Sequence, residues 1–187
     1  MKSFFLFLSA LLLVSCTTPP QGSAPAGFTW KRFDDLALEV KVPQGWHTNI
    51  TTAKGTRALR ITKDRITSKG FETGLTVNFM ERATPQEFAA AAAQTKGYMD
   101  GLRKSFSSIT ASSYSEPQGV PTMILEGERT LPGMTERGLY HTRTIVHLFP
   151  SSRRIYVIVF GSPAETWATD YTIGKQMLNP IKFTPTR

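Results

Sequence analysis

Residues 139–160 read LYHTRTIVHLFPSSRRIYVIVF, two strand-like runs with a three-residue connection between them. Leu139 to Phe149 alternates apolar and polar residues, Arg153 to Phe160 is apolar at nearly every position from Ile155 onward, and Pro150-Ser151-Ser152 separates the two runs. So short a connection leaves no room for a crossover helix, so the runs must pair antiparallel as a hairpin. A strand that is apolar on both faces is covered on both faces, which places the second run centrally in its sheet.

The same period recurs upstream. Leu36, Leu38, Val40 and Val42 alternate with Ala37, Glu39 and Lys41 until Pro43-Gln44-Gly45 ends the run, and further strand patterns cover Leu59 to Lys63, Leu75 to Arg82 and Pro121 to Thr130. Two helix starts share one device: Thr84-Pro85-Gln86-Glu87 and Ser162-Pro163-Ala164-Glu165 each offer an oxygen-bearing cap, a proline at the first helical position and a glutamate two residues on. The first helix carries an apolar stripe at Phe88, Ala92, Thr95, Met99, Leu102 and Phe106, and its Gly97 and Gly101 mark a close approach to the sheet. The second presents Trp167, Tyr171 and Leu178 on one side and stops before Pro180. Strands, helix, strands, helix, joined by hairpins, predict an α+β fold: a mostly antiparallel sheet with helices packed on its faces. No internal repeat and no second linker interrupts it, so residues 28–187 form one domain.

The amino terminus is of a different kind. Lys2 precedes an apolar run from Phe4 to Val14, broken only by Ser9, which is too short to span a bilayer and suits the hydrophobic part of a signal peptide. Leu13-Val14-Ser15-Cys16 at its end resembles a bacterial lipobox, and Cys16 is the only cysteine of the chain. The resemblance implies a signal peptide over residues 1–15, cleavage between Ser15 and Cys16, diacylglycerol on the Cys16 thiol, and acylation of the new amino terminus with a fatty acid such as palmitate. Two or three acyl chains anchor a protein stably where one does not. Residues 17–27, TTPPQGSAPAG, have no charge and little to bury, so residues 16–27 read as a lipidated tether of at most about 35 Å. The expected location is a cell membrane, with the domain facing the periplasm or the cell exterior. Thr17, where an aspartate would favour inner-membrane retention, favours the inner leaflet of the outer membrane in a Gram-negative cell.

The strand ending in Pro43-Gln44-Gly45-Trp46, the Thr84-Pro85-Gln86-Glu87-Phe88 helix start, the long final hairpin and the closing Ile181-Lys182-Phe183 together resemble the PsbP-like family. That family includes the extrinsic protein of photosystem II and many bacterial lipoproteins. The resemblance implies an α/β/α sandwich, with the central sheet flanked by two main helices, and an accessory or assembly role without catalytic chemistry. It transfers no functional residue.

Read for chemistry, the residues give little. His141 and His147 share a strand face but lie about 20 Å apart, too far for one metal ion, and His47 follows a turn, so all three read as surface or interface histidines. Glu126 and Glu128 share a face about 7 Å apart, where Arg137 and Arg143 make them one side of a solvated charge ladder. The serines of 105–115 and 151–152 lie in no nucleophile elbow, and the chain has no P-loop, HExxH, GxGxxG or CxxC pattern. No catalytic residue, metal site or cofactor beyond the lipid on Cys16 is expected.

The 187 residues carry 22 Lys and Arg against 14 Asp and Glu, a net charge of +8, and 40% are hydrophobic. That composition excludes a disordered tail, a collagen and a multi-pass membrane protein. Lys54, Arg57, Arg60, Lys63, Arg65 and Lys69 concentrate positive charge into one candidate patch for anionic lipid, cell-wall polymer or an acidic protein. An extracytoplasmic address excludes nucleic acid as a partner. Three classes of function stay open: a membrane-anchored, non-catalytic interaction or assembly module of the envelope; a periplasmic protein that binds a small ligand or lipid between helix and sheet through Trp46, Phe71, Tyr98 or Trp167; and an enzyme with an unfamiliar site.

Overall fold

The computed structural model describes residues 24–53, 55–66, 72–131 and 138–184. The signal peptide, Ser15, Cys16, most of the tether, Lys54, Lys69, Phe71 and Arg137 lie outside the described residues. β1 (Phe28–Phe33) leads through a short turn of 3-10 helix into β2 (Leu38–Pro43), followed by β3 (His47–Ala53), β4 (Thr56–Thr62) and β5 (Gly74–Glu81). Then come α1 (Pro85–Lys104), β6 (Ser108–Ser115), β7 (Thr122–Arg129), β8 (Tyr140–Phe149), β9 (Arg154–Pro163), α2 (Trp167–Leu178) and β10 (Lys182–Phe183).

Seven strands form one sheet in the order β3-β4-β5-β9-β8-β7-β6, and every neighbouring pair is antiparallel. β9 stands fourth of the seven, as its unbroken apolar run requires. The β8–β9 hairpin keeps one register from Tyr140 opposite Pro163 to Phe149 opposite Arg154. Strand alternation then sorts the core into two layers. Ile155 and Val157, with Leu125, Val146 and Leu148, meet Ala91, Ala92, Met99 and Leu102 of α1 on one face. Tyr156, Ile158 and Phe160, with Leu75, Val77 and Phe79, meet Met177 of α2 and Leu38, Val40 and Val42 of β2 on the other. The protein is therefore an α+β sandwich in which one outer layer is α1 and the other is α2 beside a second, three-stranded sheet of order β1-β2-β10.

The start of α1 is built as its sequence predicts. The Glu87 amide donates to Thr84 Oγ1 at 3.2 Å, and the Ala83 amide donates to Glu87 Oε2 at 3.1 Å, so the cap is satisfied reciprocally just outside the first turn. The turn after β2 places Gly45 at φ +78°, a backbone region that side chains disfavour, before Trp46 packs against the core.

Several expectations change. The alternating run at Leu36 to Val42 is not part of the main sheet; it folds over it as the middle strand of the small one. Ser162-Pro163-Ala164-Glu165 does not start α2. β8 runs as far as Tyr140, so Ser162 and Pro163 remain paired in β9, and the helix begins four residues later after a turn in which the Thr166 amide donates to the Pro163 carbonyl. The buried face of α2 is consequently Asp170, Gly174 and Met177, with Trp167, Tyr171 and Leu178 at its half-buried margins. A Cβ at Gly97 or Gly101 would meet open space, whereas one at Gly174 would lie 2.6 Å from the Phe160 ring. The close helix-to-sheet approach is made by α2, not α1. β3 and β6 are the two edge strands, exposed almost throughout, so neither has the alternation by which strands are recognised.

Candidate functional site

Two clefts of about 490 Å³ each adjoin at one end of the sandwich. The register brings together there the start of β4, the end of β5, the start of β9 and the end of β8, since Arg57 faces Phe79, Glu81 faces Arg154 and Phe149 faces Arg154. The first cleft is lined by Arg57, Arg82 and Arg153 with Phe79 and Glu81. The second is lined by Phe149, Tyr156 and Phe183 with Ser151, Ser152 and Arg154. Arg154 Nε donates to Glu81 Oε1 at 2.9 Å and forms the rib between them.

Each arginine of the first cleft is held by a neutral group. Arg57 donates to the Asp35 carbonyl and lies 5.9 Å over the Phe79 ring. Arg153 Nε donates to the Arg82 carbonyl at 3.1 Å, while the Arg82 amide donates back to the Arg153 carbonyl at 3.1 Å. Among the described residues the Arg82 guanidinium donates to the Met80 sulfur alone, at 3.6 Å. In the second cleft the Phe183 ring lies 4.6 Å from Tyr156 and 4.9 Å from Phe149. The Tyr156 hydroxyl donates to the buried Leu36 carbonyl at 2.9 Å, and burial pushes its pKa up to about 12. Beside this wall, His147 meets the Thr122 hydroxyl at 3.0 Å and the Phe183 ring at 5.2 Å; desolvation lowers its pKa to about 4.

The basic residues that adjoin in sequence do not form one patch. Successive strand residues point to opposite faces, so Arg57 enters the cleft on the α2 side with Leu59 and Ile61, while Arg60 points to the α1 side. Lys63 leaves β4 to pair with Asp170 at 3.2 Å, a buried carboxylate that also accepts from Thr166 and Thr73. Arg65 lies in the loop beyond. Arg82 and Arg153, which complete the cleft, come from the ends of strands distant in sequence. The adjacency of β5 and β9 unites them, and no spacing announces it.

At the opposite end of the same face lies a second polar group. Arg143 pairs with Glu126 across the β7–β8 register, and the Glu126 side chain is only 12% exposed, so this rung of the ladder is largely buried instead of solvated. His141 Nε2 is 3.5 Å from Glu126 Oε1 and Nδ1 is 3.8 Å from Glu128 Oε1. The ring is 4.1 Å from Trp167 in a parallel stack, and Trp167 stacks in turn at 4.4 Å on Tyr171. His141 is therefore buried, and His147 half-buried; of the three histidines only His47 is exposed. Burial raises the pKa of Tyr171. These groups satisfy one another and close the sheet under α2. Trp46, Tyr98 and Trp167 do not share a pocket: Trp46 and Trp167 pack on the main core, and Tyr98 is 48% exposed on α1. Among the described residues no group of three or more His, Cys, Asp or Glu is placed to hold a metal ion.

No family model matches the chain, and no curated protein matches it. Solved structures do. The solution structure of cyanobacterial PsbP (CyanoP) from Synechocystis sp. PCC 6803 is similar with a TM-score of 0.53 at 12% identity, over 87% of this chain and 96% of that one. A Pseudomonas aeruginosa protein of unknown function, PA94, gives a TM-score of 0.46 at 11% identity over 85% and 99% of the two chains. A mutant of the protein Mog1 gives 0.48 at 12% identity over 85% and 97%. The fold is thus PsbP-like.

Proposed function

We propose that this chain is a lipid-anchored extracytoplasmic protein of the bacterial envelope whose folded domain is a non-catalytic interaction or assembly module. The observation that carries the reading is the order of features in the first 28 residues. A short hydrophobic run ends in Leu13-Val14-Ser15-Cys16, an uncharged proline- and glycine-rich tether follows, and regular structure starts at Phe28. The PsbP-like fold supports the accessory role that the family resemblance implies. The charge that Arg57, Arg82 and Arg153 leave at one end of the domain supports a docking function. Among the described residues no helix is long and apolar enough to cross a membrane, and in this reading attachment rests on Cys16.

Cys16→Ser is expected to abolish membrane attachment. In fractionated cells the parent should sediment with membranes and yield an amino-terminal peptide bearing glycerol-linked acyl chains on Cys16. The variant should yield no such peptide and remain uncleaved or soluble. Acyl chains on the variant would contradict the anchor.

A further inference from the structure

We propose that the cleft of Arg57, Arg82 and Arg153 binds the phosphate of a phosphate monoester, with the esterified group lying over the aromatic cleft of Phe149, Tyr156 and Phe183. The argument begins with charge. Three arginines line one cleft, and the carboxylate beside them, Glu81, is already engaged by Arg154 at 2.9 Å. Among the described residues none of the three pairs with a carboxylate; their partners are the Asp35 and Arg82 carbonyls and the Met80 sulfur. Neutral acceptors orient a guanidinium without cancelling its charge, so the cleft keeps a positive potential that an anion relieves.

The backbone supports this arrangement. Arg153 is held at φ +54°, in the left-handed region where a residue with a Cβ is disfavoured. Its peptide is locked there by the reciprocal bonds with Arg82, one from backbone and one from the Arg153 side chain. The same residue closes the β8–β9 turn, its amide donating to the Pro150 carbonyl at 3.3 Å, so the hairpin fixes where this side chain starts.

The number of donors selects the anion. A carboxylate bears one charge on two oxygens and is satisfied by a single bidentate arginine, whereas a phosphate monoester bears up to two charges on three terminal oxygens and matches several guanidinium groups. Directly across the Arg154–Glu81 rib, the aromatic cleft offers an apolar surface to whatever the phosphate is esterified to. A lipid headgroup and a soluble phosphate ester share this chemistry. The site stands on the cleft alone and does not depend on whether Cys16 is lipidated.

The test is calorimetric titration of the full chain, purified in dodecyl maltoside, with glycerol 3-phosphate and with dihexanoyl phosphatidic acid. Both are expected to compete for one saturable site. Arg57→Gln and Arg82→Gln should each weaken both ligands about tenfold or more in a protein that still unfolds cooperatively, because each removes a charged donor. Arg82→Lys, which keeps the charge but loses the fork, should recover part of the loss. If the short-chain lipid binds more tightly and Ser152→Glu weakens it alone, the source is a lipid headgroup; if the two bind alike, the source is a soluble phosphate ester. No saturable binding of either, or an affinity indifferent to both arginine-to-glutamine changes, overturns the proposal.

Discussion

Phe160→Ala is expected to destabilise the domain by about 3–5 kcal/mol, the range for truncating a fully buried aromatic ring. A typical domain has only about 5–15 kcal/mol of net stability, so the variant should be close to unfolding. Phe160 is 0% exposed on the central strand, and its ring is the surface on which α2 rests: 5.9 Å from Trp167, 6.1 Å from Tyr171 and directly beneath Gly174. Gly174→Ala tests the same contact from the other side. In an open helix interior alanine is favoured over glycine by about 1 kcal/mol, but here the added Cβ would sit 2.6 Å from the Phe160 ring, so the sign should reverse. Combining Gly174→Ala with Phe160→Leu should cost less than the sum of the two single changes, because the smaller side chain makes room for the methyl group. Urea unfolding of the parent, the three single variants and the double variant gives the comparison. A loss below about 1 kcal/mol for Phe160→Ala would contradict the packing of α2 on the sheet.

Lowering the pH from 7 to 5 is expected to remove about 2 kcal/mol of stability through His147 alone. Burial holds its imidazole at a pKa of about 4 in the folded protein, against 6.5 in the unfolded chain. Between those values the unfolded chain takes up a proton that the folded one refuses, so stability is complete above pH 6.5, declines toward pH 4 and falls no further from this cause. The surroundings explain why. The Thr122 hydroxyl lies 3.0 Å from Nδ1 and the Phe149 and Phe183 rings flank the imidazole, so its groups here are neutral. Urea midpoints at pH 7 and 5 should separate widely for the parent and distinctly less for His147→Gln. Equal separation in both proteins would show that His147 is not held neutral by burial.

These two sites illustrate what was legible in the sequence. The apolar run from Ile155 to Phe160 states that β9 is central because burial on both faces leaves no polar alternation, and Thr84-Pro85-Gln86-Glu87 states a helix start because the bonds involved are local. Ser162-Pro163-Ala164-Glu165 has the same pattern of hydroxyl, proline and glutamate and does not start a helix, since the partner strand β8 extends far enough to keep Ser162 and Pro163 in the ladder. β3 and β6, read HTNITTA and SITASSYS, are solvated on both sides at the sheet edges and carry no periodic signal. The site was less legible than the fold. Arg57 stands within a run of basic residues, but strand alternation sends Arg60 to the other face and Asp170 takes up Lys63. Arg82 and Arg153 join Arg57 only through the pairing of β5 with β9, which is long-range information. The burial of His141 beneath Trp167 likewise depends on where α2 lies.

Mild chemical crosslinking in intact cells, followed by detergent extraction and mass spectrometry of what is recovered with the protein, tests the central reading most directly. A tethered docking module predicts a recurrent envelope protein partner that is lost or weakened in Cys16→Ser cells, and its identity would name the process served. Recovery of the same partners from parent and Cys16→Ser cells, or of no protein above background from either, would contradict it.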